Sequence, residues 1–200
     1  TLFPRVSVRI VEITDGPIGH ISETRELPGG DIGEILVQAP STTREYFRRP
    51  DATAQAKIAD EDGRFWHRMG DVGWLGEDGR LWFCGRKAHI VETAHGRMFT
   101  IPCEAIFNEH PRVFRSALVG IGERGQHRPV IIVEPEAGDF PTGTATRKTF
   151  TDELLALGRA NPLTESIRDI LFRDALPVDI RHNVKIFREK LAPWAAEQLR

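Results

Sequence analysis

Hydrophobic and polar residues alternate with a period of two near the beginning of the chain. Residues 6–10 follow this pattern, which is typical of a half-buried strand. Residues 33–38 form a second predicted strand, and residues 64–83 predict a hairpin with a Glu-Asp-Gly turn. Pro50 predicts the start of a short helix. We therefore expect residues 1–85 to consist mainly of strands and turns.

The pattern changes after Gly85-Arg86, where apolar residues begin to recur at helical as well as strand spacing. The predicted elements are helices over 102–110, 151–159, 164–172 and 187–199, strands over 113–121 and 129–133, and a Gly-, Pro- and Thr-rich loop over 136–147. The chain is thus predicted to be an α+β protein with a β-rich domain over 1–85 and a smaller mixed α/β domain over 86–200.

Composition narrows the class of protein. The chain has 200 residues, is 40% hydrophobic and carries a formal net charge of -2. This balance argues against nucleic-acid binding, which depends on a large positive field. The sequence has no apolar run near the roughly 18–20 residues that a membrane span needs. We therefore expect a protein that neither binds nucleic acid nor spans a membrane.

The two cysteines predict a reducing compartment and not a disulfide scaffold, so we expect a cytoplasmic protein. A zinc site made of Cys84, His89, His95 and Cys103 is an alternative, but the spacing lacks the paired Cys-x-x-Cys pattern of structural zinc sites. Packed thiols and surface imidazoles are the favoured interpretation, and no metal ligand is assigned.

Three local groups of residues could carry chemistry. Asp71 ends the sequence Trp-His-Arg-Met-Gly-Asp, and a carboxylate after a glycine can accept hydrogen bonds from a vicinal diol such as a ribose. Arg86 and Lys87 follow a glycine at the change of pattern, where an anion contact or an interdomain hinge would fit. The run 177–188 contains four basic residues, among them Lys185, and a lysine brings a compact positive charge to a phosphate or carboxylate oxygen. Taken one at a time, each group is more often a turn or a solvated basic segment.

The order of these groups resembles the C-terminal portion of the acyl-adenylating superfamily, which includes acyl-CoA synthetases, firefly luciferases and peptide-synthetase adenylation domains. Residues 33–37 and 46–53 resemble the Gly-Glu-Leu strand and its Gly-Tyr-x-x-x-Pro-x-x-Thr continuation. Residues 66–71 resemble Tyr-Arg-Thr-Gly-Asp, with Met69 at the threonine position. Gly85-Arg86 resembles the start of the hinge, and 183–188 resembles Gly-Lys-Ile-x-Arg.

The resemblance implies roles for three residues. Asp71 would bind the ribose hydroxyls of ATP, Arg86 would assist at the same nucleotide, and Lys185 would bridge the substrate carboxylate and the α-phosphate during adenylation. It also implies that 1–85 is the barrel-like end of a large adenylating domain, that 86–200 is a mobile lid with its hinge at 85–89, and that Mg²⁺ accompanies ATP while pyrophosphate leaves.

Departures from the family pattern point to one branch. Ala88 stands where relatives usually have Asp or Lys, and Glu92 stands where many have lysine, in a loop that helps CoA ligases to form thioesters. Residues 84–87, 99–106 and 181–191 resemble the branch that includes the β-lactone synthetases of bacterial long-chain olefin biosynthesis. There a β-hydroxy acid is adenylated and its own hydroxyl then expels AMP, without CoA.

The leading hypothesis is therefore an ATP-dependent ligase for a long-chain fatty or β-hydroxy acid that associates with other enzymes of its pathway. An acyl-CoA synthetase or a peptide-synthetase-like adenylation enzyme is the alternative. A non-catalytic module whose basic run binds an anionic partner is a second alternative. Because the chain begins at Thr1 without an initiator methionine, we expect it to be the closing third of a longer enzyme and to be inactive alone.

Overall fold

The structure, a computed structural model, describes residues 5–179 and 185–200. These residues divide into two compact units between Ala88 and His89. The predicted α+β class is confirmed, and in the described residues each sheet is open, without closure into a barrel. No helix in these residues has the length and hydropathy needed to cross a membrane.

The N-terminal unit, up to Ala88, is a five-stranded antiparallel sheet in the order β1-β2-β4-β3, with β5 also paired to β4. Its elements are β1 (Ser7–Val11), β2 (Gly33–Gln38), α1 (Pro50–Ala56), β3 (Lys57–Ala59), β4 (Phe65–Leu75) and β5 (Leu81–Arg86), with a 3₁₀ turn at Ile21–Glu23. The hairpin predicted over 64–83 is β4–β5. The indole rings of Trp74 and Trp82 stack across it at 5.4 Å, a type of cross-strand pair that stabilises sheets.

The core of this unit forms where alternating side chains of the sheet meet the loop after β1. Its buried members are Val11, Ile18, Ile21, Leu36, Ile58 and Trp66. Strand β4 has 11 residues, which is long enough for its first part to pair with β3 and its last part with β5 along the same edge. The site described below lies on this last part of β4.

The C-terminal unit, from His89, is built on a three-stranded sheet in the order β10-β9-β8. Its elements are a 3₁₀ turn at Lys87–His89 shared with the preceding unit, β6 (Val91–Thr93), β7 (Gly96–Met98), α2 (Thr100–Asn108), β8 (Val113–Ile121), β9 (Arg128–Pro135), α3 (Thr144–Arg159), β10 (Asp169–Phe172), β11 (Val178–Asp179), β12 (Lys185–Ile186) and α4 (Arg188–Gln198).

Both faces of this sheet are covered by helices. Ile131 and Val133 pack with side chains of α2 and α3, whereas Val130 and Ile132 pack with side chains of α4. A strand covered on both faces has apolar residues in succession and not in alternation, which explains the run Val-Ile-Ile-Val at 130–133.

Two predicted elements of this unit are wrong. Residues 164–172 form a turn followed by the strand β10, which pairs in parallel with β9. The apolar residues of this segment are consecutive because Ile170 and Leu171 of β10 pack on opposite faces of the sheet. The loop predicted over 136–147 is too long, since α3 begins at Thr144. Residues 180–184, which carry much of the basic run, lie outside the described residues, as do residues 1–4.

Candidate functional site

Asp71 lies at an irregularity in β4. Leu36 pairs with Arg68 and Glu34 pairs with Val72, so one residue of β2 lies opposite the three residues 69–71 of β4. Gly70, at the centre of this bulge, has a φ of +68°, a conformation that glycine adopts without steric cost. Bulges of this kind redirect side chains near functional sites. Here the bulge directs Asp71 towards β5.

Arg86 is the cross-strand partner of Asp71 at the end of β5. Its Nη1 lies 3.0 Å from Asp71 Oδ1 and donates to the carbonyl oxygen of Met69 at 3.2 Å. The Arg86 side chain is 48% exposed and that of Asp71 is 20% exposed, so both remain accessible to a ligand. Two residues to which the resemblance assigns nucleotide binding are thus neighbours, and their roles stay predictions.

A buried ionic cluster lies behind this pair and was not predicted from the sequence. The side chains of Glu34 and Arg68 are buried, and that of Lys87 is 19% exposed with its ammonium turned towards them; we call these three residues the buried triad. Arg68 donates to both carboxylate oxygens of Glu34 at 2.8 Å, and Lys87 Nζ lies 2.9 Å from Glu34 Oε2. Arg68 and Lys87 also donate to the carbonyl oxygen of Thr14. Since Lys87 follows Arg86 directly, the triad attaches the end of β5 to the core of the N-terminal unit.

A signal for this cluster was present in the sequence. Glu34 interrupts the apolar strand 33–37, and Arg68 lies two residues after the apolar Trp66. A charged residue at a position expected to face the core is buried only with a partner. The sequence does not show which partner each finds, because Glu34 and Arg68 are far apart along the chain.

Lys185 belongs to the C-terminal unit and begins β12, where it is exposed and pairs with Asp179 of β11. The ladder continues at Ile186 with Val178, and the Phe187 N–H donates to the carbonyl oxygen of Pro177 at 2.9 Å. The run that the sequence indicated as a loop therefore contains two short strands.

The helix α4 begins at Arg188, whose guanidinium contacts the carboxylate of Glu104 in α2. Arg188 Nη2 lies 2.7 Å from each carboxylate oxygen, and Nε lies 3.2 Å from Oε1. Burial raises the pKa of Glu104 above its ordinary value, and the opposing effects of Arg188 and the backbone N–H of Leu118 offset only part of this rise. The pair also contacts the edge strand β8, because the Leu118 N–H donates to Glu104 Oε1 at 2.8 Å.

Glu92, which stands where many relatives of the superfamily have lysine, lies in the hairpin β6–β7. Its carboxylate accepts from Arg124 Nε and Nη2 at 2.8 and 2.9 Å, and Arg97 Nε lies 3.5 Å away. The carboxylate is therefore part of an ion-pair network within the C-terminal unit.

The structure also places the residues of the zinc alternative. Cys84 belongs to the N-terminal unit, whereas His89, His95 and Cys103 belong to the C-terminal unit. Both cysteines are buried, and burial raises the pKa of the Cys84 thiol. Within residues 5–179 and 185–200, no three His, Cys, Asp or Glu side chains are grouped so that they could hold a metal ion.

Comparison with known proteins places the chain in a family. No protein-family model matches it. An olefin beta-lactone synthetase of Xanthomonas campestris pv. campestris is 50% identical over 195 residues, which are 96% of this chain and 34% of the relative. The protein of that name in Stenotrophomonas maltophilia is 45% identical over 196 residues, which are 96% of this chain and 35% of the relative.

Among solved structures, the amide bond synthetase McbA of Marinactinospora thermotolerans is 27% identical and superposes with a TM-score of 0.74, over 96% of this chain and 34% of McbA. The chain thus spans about a third of the length of the curated relatives it matches. With half of its residues shared with one such relative over nearly its whole length, and with a fold shared with an amide bond synthetase, the chain belongs to the acyl-adenylating superfamily of AMP-forming ligases.

Proposed function

We propose that this chain is the part of an ATP-dependent acyl-adenylating ligase that contacts the nucleotide and supplies the catalytic lysine. Residues 1–85 would be the end of the large adenylating domain and 86–200 its lid, with the hinge at 85–89. The observation that carries the proposal is the Asp71–Arg86 pair, which lies between an irregularity in the β2–β4 pairing and another in the β4–β5 pairing, in a chain that shares half its residues with a β-lactone synthetase.

In the first step, the substrate carboxylate attacks the α-phosphorus of ATP. A new bond forms between the carboxylate oxygen and phosphorus, the bond to the β-phosphate oxygen breaks, and pyrophosphate leaves with its electron pair. Negative charge accumulates around the α-phosphate, and the Lys185 ammonium would stabilise it electrostatically. Asp71 would accept hydrogen bonds from the ribose hydroxyls, and Arg86 would orient its carboxylate.

In the second step, the hydroxyl at the β-carbon of the same substrate attacks the acyl carbonyl. The new carbon–oxygen bond closes a four-membered lactone, the bond to AMP breaks, and the hydroxyl proton is lost to solvent. The 45–50% identity to two olefin beta-lactone synthetases favours a β-hydroxy fatty acid as the substrate. Association with other enzymes of the same pathway and a cytoplasmic location are further parts of the proposal.

The resemblance also implied Mg²⁺, which binds proteins through oxygen ligands and usually keeps contacts to substrate phosphates. Among the described residues, no three His, Cys, Asp or Glu side chains are grouped so that they could hold the ion by themselves. No step above depends on the metal.

The adenylation step is tested with a Lys185→Ala variant of the natural polypeptide that contains this chain. We expect adenylate formation, measured as pyrophosphate release, to fall by roughly two to four orders of magnitude, while ATP binding measured by calorimetry changes little. Lys190→Ala is the matched control, because Lys190 is a nearby lysine on α4 whose ammonium lies over the Phe187 ring at 4.7 Å. Unchanged pyrophosphate release in Lys185→Ala would remove the assigned role.

The lactone step is tested with ATP and a long-chain β-hydroxy acid in the absence of CoA. We expect a product lighter than the substrate by one water, detected by mass spectrometry. The matching fatty acid without the hydroxyl should stop at acyl-AMP. A product that forms only when CoA is added would instead show a thioester-forming ligase.

A further inference from the structure

The contact between Arg188 and Glu104 bears on Lys185, which lies three residues before Arg188. Three residues of extended chain span at most about 10–11 Å, so the end of β12 cannot move far while Arg188 is held. Arg188 is 12% exposed and Glu104 is 7% exposed at the side chain. The pair is therefore shielded from water and from screening by salt.

Glu104 is itself held in place by the sheet. Strand β8 is at the edge of the three-stranded sheet, and the N–H groups on the outer side of an edge strand need acceptors when they are buried. Glu104 Oε1 accepts from the Leu118 N–H at 2.8 Å. Ser116 of the same strand donates to the Asn108 side chain of α2 at 2.8 Å. The carboxylate thus occupies one position, fixed by the backbone of β8.

The backbone around Lys185 has a second attachment. Lys185 and Ile186 pair with Asp179 and Val178, and the Phe187 N–H donates to Pro177. A pair of two-residue strands is a weak element alone, so the strand pair directs the lysine only if the residues after it are also held. The ion pair of Arg188 with Glu104 holds those residues.

A buried ion pair contributes little net stability, since replacing it with apolar side chains of similar volume often leaves a protein as stable or more stable. A planar guanidinium facing a carboxylate instead specifies distance and orientation. That property suits a segment that must present a side chain at a defined place.

We propose that Glu104 and Arg188 are positioning residues for Lys185: the ion pair fixes the end of β12, and through it the place that the Lys185 ammonium occupies at the α-phosphate. The inference rests on the proposed function for its catalytic consequence. Its structural part, that the pair holds residues 185–188 in place, does not.

The structural part is tested on the 200-residue chain by hydrogen exchange with mass spectrometry. In Glu104→Gln, which keeps an acceptor for Leu118 but removes the charge, amides at 186–188 should exchange at least tenfold faster, while peptides of β9 stay unchanged. Arg128→Lys is the control, because Arg128 also contacts a carboxylate through two nitrogens, on Asp169, in the same unit. Unchanged exchange at 186–188 in Glu104→Gln overturns the proposal whatever the protein catalyses.

The catalytic part is tested by ATP–pyrophosphate exchange in the natural polypeptide with a β-hydroxy fatty acid. We expect Glu104→Gln and Arg188→Lys to lower kcat at least tenfold and to leave the KM for ATP within about twofold. In a Lys185→Ala background the same substitutions should have no further effect on kcat, because they act through the lysine.

The outcomes separate the two proposals. Equal losses of kcat with and without Lys185 would indicate general damage and would overturn the positioning role. If Glu104→Gln fails to fold, Arg188→Lys answers both questions, since it keeps the charge and changes only the geometry. Absence of exchange activity in the unmodified polypeptide would refute the proposed function, and the hydrogen-exchange result would still decide whether the pair holds residues 185–188.

Discussion

Removal of the Glu34 carboxylate should destabilise the N-terminal unit more than any exposed charge substitution. Glu34 is the one carboxylate of the buried triad, and its side chain is 2% exposed. It accepts two hydrogen bonds from Arg68 at 2.8 Å and one from Lys87 at 2.9 Å. Glu34→Ala would therefore leave two cations close together without their counter-ion.

The expected loss follows from what breaking a buried ion pair costs. Removing one partner typically destabilises by about 3–5 kcal/mol, because the remaining charge stays desolvated. Arg68 keeps its hydrogen bond to the carbonyl oxygen of Thr14, which places the expectation near the lower end of that range. A domain has about 5–15 kcal/mol of stability in all, so the variant should lose a large fraction of it.

The matched control is Glu26→Ala. Glu26 faces Arg9 at 3.6 Å with a side chain that is 59% exposed, and an exposed pair of this kind contributes about 0–1 kcal/mol. A comparison of the two variants separates the effect of burial from that of losing a negative charge.

The assay is urea unfolding followed by tryptophan fluorescence. Of the four tryptophans, Trp66, Trp74 and Trp82 belong to the N-terminal unit and Trp194 to the C-terminal unit. In a Trp194→Phe background the fluorescence therefore reports the N-terminal unit alone. If Glu34→Ala loses no more than about 1 kcal/mol beyond Glu26→Ala, the reasoning about the buried triad is refuted.

Three further results are expected. Burial lowers the pKa of His67, and the positive charge of Lys57 lowers it further. The unfolded state therefore binds more protons than the folded state, so the free energy of unfolding should decrease as the pH falls through about 6.5. His67→Gln should lose this dependence on pH, and an unchanged dependence would assign it to another group. Because both thiols are buried, a thiol reagent should label Cys84 and Cys103 far faster in denaturant than in the native protein; equal rates would contradict their burial. A Cβ at Gly73 would lie 2.3 Å from a backbone carbonyl oxygen, so Gly73→Ala should lower the free energy of unfolding in urea by at least about 1–3 kcal/mol. Gly29→Ala is the control and should be near neutral, because the nearest atom to its Cβ would be 3.6 Å away. Similar values for the two variants would refute the steric argument.

The local pattern determined most of the elements that position the candidate site. The strand predicted over 33–38, the hairpin before Gly85 and the helix start at Pro50 coincide with β2, β4–β5 and α1. Each of these depends on side-chain periodicity or on the backbone preferences of Gly and Pro, which act over a few residues.

The segment 164–172 shows where the local pattern fails. Its apolar spacing fits a helix, yet Ile170 and Leu171 are on opposite faces of a sheet covered on both sides. A short apolar run buried on both faces cannot be distinguished from a buried helix by periodicity alone. The segment forms a strand because residues 169–172 pair in parallel with β9, an interaction between distant parts of the chain that the local pattern does not contain.

The order of motifs in the sequence was sufficient to indicate the superfamily and to nominate Asp71, Arg86 and Lys185. What holds these residues was decided by tertiary structure: Glu34 meets Arg68 across the β2–β4 ladder, and Glu104 meets Arg188 across 84 positions of the chain. A charged residue in an apolar segment shows in the sequence that a partner is needed. Which partner it finds depends on how strands and helices pack, because packing decides which opposite charge is buried beside it, and a buried charge left without a partner is strongly destabilising.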